Sequence, residues 1–131
     1  MNKAKERIIK ELVTGCKTGS RRAKKIKKGI NQCDVTFESL HQMMEKQNWR
    51  CNRLHIPFLI LDRRMKMDET NELGLNRWYL PSIDRIDNTK GYTMDNIQIV
   101  CMGYNNAKNR YDEKYLIQWL NSIISNNKEG I

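Results

Sequence analysis

Side chains that end in oxygen are concentrated between residues 81 and 109, and they are the residues of this chain best suited to chemistry. Asp84 and Asp87 supply carboxylates, whereas Asn105 and Asn109 supply amides that are four residues apart and would share a helical face. Hard oxygen ligands of this kind suit Mg²⁺ or Mn²⁺. Such a cation can neutralise a scissile phosphate and stabilise the departing 3′ oxygen during phosphodiester hydrolysis. Asp and Asn also form turns and helix caps, and their types alone favour that structural role.

The elements predicted around these residues are a strand, a loop, a strand and a helix. Ser82 to Ile86 alternates as a strand does, and Ile97 to Val100 is a second β-prone run. The loop Asp87 to Asn96 is rich in turn residues, and we expect Gly91 within it to adopt a positive φ. Met102 to Arg110 is predicted as a helix because its aromatic and alanine residues keep one face.

Helices are also predicted before this unit. The first follows Asn2, a possible cap, and ends at Gly15, and a second, short helix begins at Ser20 and ends at Gly29. Thr36 is the expected N-cap of a helix from Phe37 to Asn48. The residues expected to face inward are Ile8, Ile9, Leu12 and Val13 in the first helix and Phe37, Leu40, Met43 and Met44 in the third.

The remaining segments complete an α+β fold. Phe58 to Leu61 is a candidate strand, and Asp62 to Arg77 is predicted as a loop. Asp112 is the expected cap of a last helix. The residues expected to face inward from that helix are Tyr115, Leu116, Trp119, Leu120, Ile123 and Ile124.

The positive charge is unevenly distributed along the chain. Of 24 Lys and Arg residues, eleven lie in residues 1–32, which carry only Glu6 and Glu11 as acids, whereas residues 33–131 balance thirteen of each sign. A polyanion is the natural partner of such a segment, because each cation that meets a phosphate releases condensed counterions. A solvated helix face is the alternative, and membrane binding is less favoured because the segment lacks a Trp/Phe/Leu face. The basic residues expected to contact nucleic acid are Arg21, Arg22, Lys24, Lys25, Lys27 and Lys28.

The four cysteines, Cys16, Cys33, Cys51 and Cys101, include no C-x-x-C pair. We therefore predict reduced, mostly buried thiols and a reducing compartment. No apolar stretch approaches the roughly 18 residues that a membrane span needs, and the N-terminus shows no apolar signal core. We expect a soluble, cytoplasmic protein.

The sequence of residues 81–109, PSIDRIDNTKGYTMDNIQIVCMGYNNAKN, resembles the HNH branch of the ββα-metal (His-Me finger) endonucleases. It matches the variant whose first strand reads S-I/L-D-R-I-D-N. The upstream stretch TFESLHQMMEKQNWRCNRLHIPF and the downstream stretch YDEKYLIQWLNSI resemble the flanking helices of phage-type HNH proteins. The resemblance implies a small, mostly helical α+β domain around a ββα finger at about 81–110, with a closing helix at about 112–125. The nuclease domain would then span residues 33–131, after a basic helical segment at residues 1–32.

The resemblance assigns roles to individual residues. Asp84 and Asn105 correspond to the metal ligands, for Mg²⁺ or Mn²⁺, and Asn109 is a candidate third ligand or a water holder. Asn96 corresponds to the central Asn, which in the family holds the loop through side-chain to backbone hydrogen bonds. Lys90 and Lys108 flank this site and are expected to hold substrate phosphates.

Arg85 is a departure from the family pattern, which has His directly after the Asp as general base. The arginine side chain stays protonated at neutral pH, so Arg85 can hold a phosphate or stabilise transition-state charge but cannot accept a proton. The metal, solvent or another residue such as Asp87 or His55 would have to take the proton of the attacking water.

A second departure concerns zinc, because many relatives frame the finger with two C-x-x-C knuckles. Here Leu54 and Tyr104 stand where each knuckle would have its second cysteine. Two thiolates do not close a tetrahedral site, so we expect hydrophobic contacts of Leu54 and Tyr104 instead of a structural Zn²⁺. A site of Cys51, Cys101 and His55 is the less favoured alternative.

The leading hypothesis is a metal-dependent endonuclease that cuts or nicks DNA, with RNA left open, acting as a monomer or homodimer. The resemblance implies a phage-infected or bacterial cell. A nucleic-acid-binding protein that keeps the scaffold without the chemistry, such as a phage accessory or inhibitor protein, is the second hypothesis. A module that binds an acidic protein through its basic segment is the third.

Overall fold

The computed structural model describes residues 1–26, 32–60 and 76–128, with the backbone alone for residues 21–26. The described part is a small α+β domain of helices around an antiparallel pair of strands. None of its helices is both long enough and apolar enough to cross a bilayer. The elements are α1 (Lys3–Ile26), α2 (Phe37–Lys46), a 3₁₀ helix (Arg77–Tyr79), β1 (Pro81–Arg85), β2 (Ile97–Cys101), α3 (Met102–Lys108) and α4 (Glu113–Asn126).

The N-terminal helix α1 is one continuous helix, so the predicted stop at Gly15 and the predicted second helix starting at Ser20 are wrong. The side chain of Asn2 does cap its start, accepting a hydrogen bond from Lys5 N. Cys16 and Ser20 are both buried, so they extend the inward stripe of Ile9 through the glycine. Ser20 donates its hydroxyl to Gln32 O instead of capping a helix. Tertiary burial on both sides of Gly15 thus outweighs its low helix propensity.

Helix α2 begins where the sequence predicts and ends at Lys46, two residues before the predicted end at Asn48. Thr36 and Ser39 form a reciprocal capping box at its start. Leu40 and Met44 are fully buried, and Phe37 and Met43 pack against the same core. The helix thus presents the expected stripe to the molecule's interior.

The segment after α2 makes single backbone hydrogen bonds to other segments and does not form a strand. Phe58 N donates to Trp49 O, and Leu59 N donates to Tyr79 O. Residues 58–60 therefore carry no strand, contrary to the prediction, because their backbone groups bond to two different segments. Leu61 and most of the predicted loop Asp62 to Arg77 lie outside the described residues, and the end of that loop forms the 3₁₀ helix.

Strands β1 and β2 pair antiparallel, with Asp84 opposite Gln98 and Ser82 opposite Val100. Both strands lie within one residue of their predicted bounds. Helix α3 packs on both strands and places its side chains over the face that holds Asp84. Ile99 and Val100 are fully buried, so β2 lies at the centre of the core.

Gly91, in the loop between the strands, is required for a reason other than the predicted one. Its φ is outside the left-handed region, but a Cβ there would lie 2.4 Å from Gln32 O. Tyr92 N donates to that same carbonyl at 2.9 Å. The glycine therefore allows two backbone segments to approach closely.

Helix α4 begins at its predicted cap, because Asp112 accepts a hydrogen bond from Lys114 N. Its predicted inward face is wrong for five of six residues, since only Leu116 is buried. The described core covers the first turn of the helix and leaves the rest of the stripe uncovered. The exposed residues are Tyr115, Trp119, Leu120, Ile123 and Ile124.

Candidate functional site

Asp84 is a buried carboxylate held by two side chains. Lys108 Nζ lies 2.9 Å from Asp84 Oδ1, and Gln98 Nε2 donates to Asp84 Oδ2 at 2.9 Å. Gln98 is oriented in turn by Asn52, whose Nδ2 donates to Gln98 Oε1. Gln98 was missed by sequence reasoning, although a strand register pairing it with Asp84 would have indicated it.

Lys108 is buried, with 3% of its surface exposed, so it does not extend to solvent as a phosphate-binding lysine would. Besides Asp84, its ammonium reaches the backbone oxygen of Arg85 at 3.1 Å. The predicted role of Lys108 in holding substrate is therefore corrected. The ammonium is used inside the molecule because the buried carboxylate of Asp84 needs a counter-charge.

Asn105 is oriented by two hydrogen bonds that both use its Nδ2. It donates to Ser82 Oγ at 2.7 Å and to Ile83 O at 3.0 Å. A carbonyl oxygen accepts only, so the bond to Ile83 fixes which side of the amide is nitrogen. The oxygen Oδ1 is left out of these two contacts, which suits a ligand for a cation.

Asp84 and Asn105 line the same polar cleft, which has a volume of about 500 Å³. Arg85 lies in it with its guanidinium 5.0 Å from the centre of the Tyr92 ring and donates to Lys90 O. Arg110 lines the cleft as well, and sequence reasoning missed it although it directly follows Asn109. Two arginines beside one carboxylate make a cleft that can accept a phosphate group.

Asn109 lies beyond the end of α3 instead of on the same helical face as Asn105. It is the C-cap residue of α3, with a φ of 54°, and its Oδ1 accepts from Arg110 N. It still lines the cleft. The predicted helix to Arg110 is therefore two residues too long, and the i, i+4 argument for Asn109 does not hold.

Asn96 holds the loop between the strands through its side chain. Its Nδ2 donates to Asp87 O and Gly91 O, and its Oδ1 accepts from Asp87 N. The residue is buried, and its bond to Gly91 O is buried as well, whereas the two bonds with Asp87 are partly buried. These bonds fix the loop directly after Asp84 and Arg85.

Neither residue considered as an alternative base lines the cleft. Hydrogen bonds from Thr89 to Asp87 Oδ1 lower the pKa of Asp87 and make it a weaker base. His55 lines a different cleft with Cys51 and Gln98. Among the described residues, the cleft of Asp84 therefore offers no histidine to an attacking water.

The remaining predicted phosphate contacts lie elsewhere or outside the described side chains. Lys90 is exposed and lines another cleft, with Thr89 and Asp95. The side chains of Arg21, Arg22, Lys24 and Lys25 belong to the part of α1 described by backbone alone, and Lys27 and Lys28 are outside the described residues. Their role in binding nucleic acid stays a prediction.

Cys51 lies against Cys101, the last residue of β2, and both cysteines are buried and free. Cys51 Sγ accepts from Cys101 N at 3.3 Å and from Leu54 N at 3.4 Å. Its hydrogen bond with the Cys101 side chain is the largest cause that lowers the pKa of Cys51, and the same bond raises the pKa of Cys101. Leu54 is exposed, so its predicted bracing contact is wrong, whereas Tyr104 is buried.

A group of Tyr104, Arg53 and Glu113 joins the first turn of α4 to the rest of the molecule. Arg53 makes two hydrogen bonds to the Glu113 carboxylate, at 2.6 and 2.7 Å, and the Tyr104 hydroxyl donates to it as well. The bond from Tyr104 is the largest cause that lowers the pKa of Glu113. Within the described ranges, no three His, Cys, Asp or Glu residues cluster so that they could hold a metal ion.

No known protein family, curated protein or solved structure matches this chain.

Proposed function

We propose that the chain is a metal-dependent, HNH-type endonuclease that hydrolyses phosphodiester bonds in DNA. One observation carries the proposal: Asp84 from β1 and Asn105 from α3 line one polar cleft together with Arg85 and Arg110. The order strand, strand, helix and the matched residues of the S-I-D-R-I-D-N motif support the same function.

The residues of the cleft fit a divalent cation with hard oxygen ligands. Each oxygen of Asp84 accepts one hydrogen bond and so keeps a further acceptor site, and Asn105 Oδ1 is the second donor. A Mg²⁺ ion typically keeps several waters and takes one or two protein carboxylates plus phosphate oxygens. When bound, it would supply charge neutralisation at the scissile phosphate.

The arginines supply the remaining part of the proposed mechanism. Arg85 and Arg110 hold the phosphate by charge-assisted hydrogen bonds and stabilise the negative charge that builds up during the reaction. Asn96 fixes the loop that carries the residues after Arg85 and so keeps the cleft in shape. Among the described residues the cleft has no histidine to take the proton of water, so in this proposal the proton leaves to solvent.

Nicking of supercoiled plasmid tests the proposal. With Mg²⁺ or Mn²⁺ present, we expect the wild-type chain to nick and Asp84→Asn to lose at least about 100-fold in rate, because the negative charge that holds the charge-neutralising cation is lost. Glu38→Gln, the same chemical change at an exposed position on α2, is the matched control and should nick normally. Melting curves of both variants separate loss of chemistry from loss of folding. Equal nicking by Asp84→Asn would exclude this site.

A second function, nucleic-acid binding without cleavage, is favoured by the ion pair of Asp84 with Lys108. The ammonium already supplies the counter-charge that a metal would otherwise provide, and Arg85 replaces the expected base. For a pure binder, we expect salt-sensitive DNA binding in the presence of EDTA and no nicking with either metal. The plasmid experiment therefore distinguishes the two functions.

A further inference from the structure

Helix α4 carries an apolar stripe that the described residues leave uncovered beyond its first turn. The stripe occupies one side of the helix, since its members recur at intervals of three and four residues. Their exposed fractions run from 40% at Ile123 to 59% at Trp119, whereas Leu116 at the start is buried. The stripe consists of Leu116, Ile117, Trp119, Leu120, Ile123 and Ile124.

The size of this stripe matches a protein interface. Its exposed side chains present roughly 500 Å² of apolar surface, close to the apolar share of the about 800 Å² that each partner buries in a standard interface. Trp119 lies near the middle of the helix, and a central tryptophan is typical of residues that dominate binding energy. The largest apolar patch of a typical soluble monomer is about 300–600 Å² and is often functional, so a patch of this size suits an interaction surface.

We infer that this stripe is the interface of a homodimer, in which two copies of α4 pack antiparallel. A two-fold axis at Leu120 would place Leu116 opposite Ile124 of the second copy, so the stripe is complementary to itself. The same axis would place Asp112 opposite Lys128 of the second copy, and both residues are exposed. The antiparallel helix dipoles add to this charge complementarity.

The composition of the helix argues against nucleic acid or a lipid surface as the occupant. No charged residue interrupts α4 between Lys114 and its end at Asn126. The polar side carries Gln118, Asn121, Ser122 and Ser125, whereas a helix that lies on membranes typically has a lysine- and arginine-rich polar side. Phosphates would likewise find no basic partner on the stripe. The dimer is independent of the proposed nuclease function.

Sedimentation of the full chain at near-physiological salt tests the dimer, because the net charge of +9 would oppose association at low salt. We expect the wild-type chain to sediment as a dimer and Leu120→Glu to shift to monomer, since a charge at the centre of the interface would be buried unpaired. Gln118→Glu, on the polar side, should remain dimeric. Leu120 is exposed, so circular dichroism should show unchanged folding for both variants. A monomeric wild-type chain, or a dimeric Leu120→Glu, would overturn the inference.

Cross-linking tests the antiparallel arrangement. The Ile117→Cys and Ile123→Cys chains are incubated with oxidised glutathione, together and separately. In the mixture, disulfides that join one variant to the other should form faster than disulfides between two copies of either variant, because the axis at Leu120 brings these two positions together. The wild-type chain is the control for its own cysteines. Faster cross-linking within each single variant would indicate a parallel pair and contradict the proposed geometry.

Discussion

The pair Asp84 and Lys108 shows how a buried charge changes the role of a residue. Both side chains are almost fully buried and lie 2.9 Å apart. Removing one partner of such a pair typically costs about 3–5 kcal/mol, because the other charge is left without compensation. Lys108, which is expected from the sequence to hold a substrate phosphate, therefore stabilises the cleft from inside the molecule.

Lys108→Met should bind Mn²⁺ more tightly than the wild-type chain. The ammonium repels a divalent cation at the neighbouring carboxylate. At about 1 kcal/mol for two unit charges 4 Å apart in water, a +1 and a +2 charge repel by about 2 kcal/mol, which predicts a gain on the order of 30-fold. The variant should melt at a lower temperature without metal and recover more when Mn²⁺ is added. Calorimetric titration and melting curves provide the measurements.

Lys46→Met, which removes an exposed charge at the end of α2, is the control for the metal titration and should bind Mn²⁺ as the wild-type chain does. Weaker Mn²⁺ binding by Lys108→Met would mean that the ammonium positions Asp84 for the metal and does not compete with it.

At the scale of single elements, a glycine in α1 and a glycine in the loop between the strands differ in what surrounds them. Gly15 lies within a continuous helix, and a Cβ added there would meet no other atom within 4 Å, whereas a Cβ on Gly91 would lie 2.4 Å from Gln32 O. Glycine therefore has a different role at each of the two positions. One is tolerated by the helix, and the other is required by the fold.

Gly15→Ala should stabilise the chain by about 0.5–1 kcal/mol, because alanine loses less backbone entropy in a helix. Gly91→Ala should destabilise it by about 1–3 kcal/mol, because the backbone of Gln32 would have to move. Urea unfolding measures both. If Gly15→Ala lowers the free energy of unfolding, α1 does not run unbroken through residue 15.

The start of helix α4 and the burial of its apolar stripe depend on different contacts. Its first turn is fixed locally by the Asp112 cap and by the contacts of Glu113 with Arg53 and Tyr104. Its apolar residues do recur along one side of the helix, but the described core covers only Leu116. A dimer interface accounts for both observations, since the stripe would then be buried by the second copy.

At the scale of the whole molecule, the charge is divided between two regions of different character. The first 32 residues carry the net charge of the chain, whereas Arg85 and Arg110 add two cations at the cleft. Such a distribution suits a polyanion that is held along one region and positioned by another. Both of the proposed functions use this arrangement.

The affinity for duplex DNA should fall steeply with salt, and the basic segment should carry much of that slope. Replacing Lys24 and Lys25 by Gln should reduce the slope of log K against log salt by up to about 1.8, at about 0.9 for each phosphate that is no longer neutralised. Lys46→Gln with Lys114→Gln, the same change at exposed sites in the second and last helices, should leave the slope unchanged. Filter binding over a salt series provides the measurement. Equal slopes in both double variants would exclude the basic segment as the DNA-binding region.

Local features of this protein follow from its amino-acid sequence alone. The caps at Asn2, Thr36 and Asp112 are confirmed, as are both strands to within one residue, because capping and strand patterns depend on neighbouring residues. The matched motif also pointed to Asp84 and Asn105, which line one cleft.

Which side chains are buried, and what they contact, follows from the folded chain and not from local pattern. Lys108 turns inward to Asp84, Gly91 allows a backbone approach, and α1 continues through Gly15, each through partners distant in sequence. The stripe of α4 shows the same limit, because periodicity reveals which side of a helix is apolar but not what covers it. Burial depends on the arrangement of all the elements, and no short stretch of sequence encodes that arrangement.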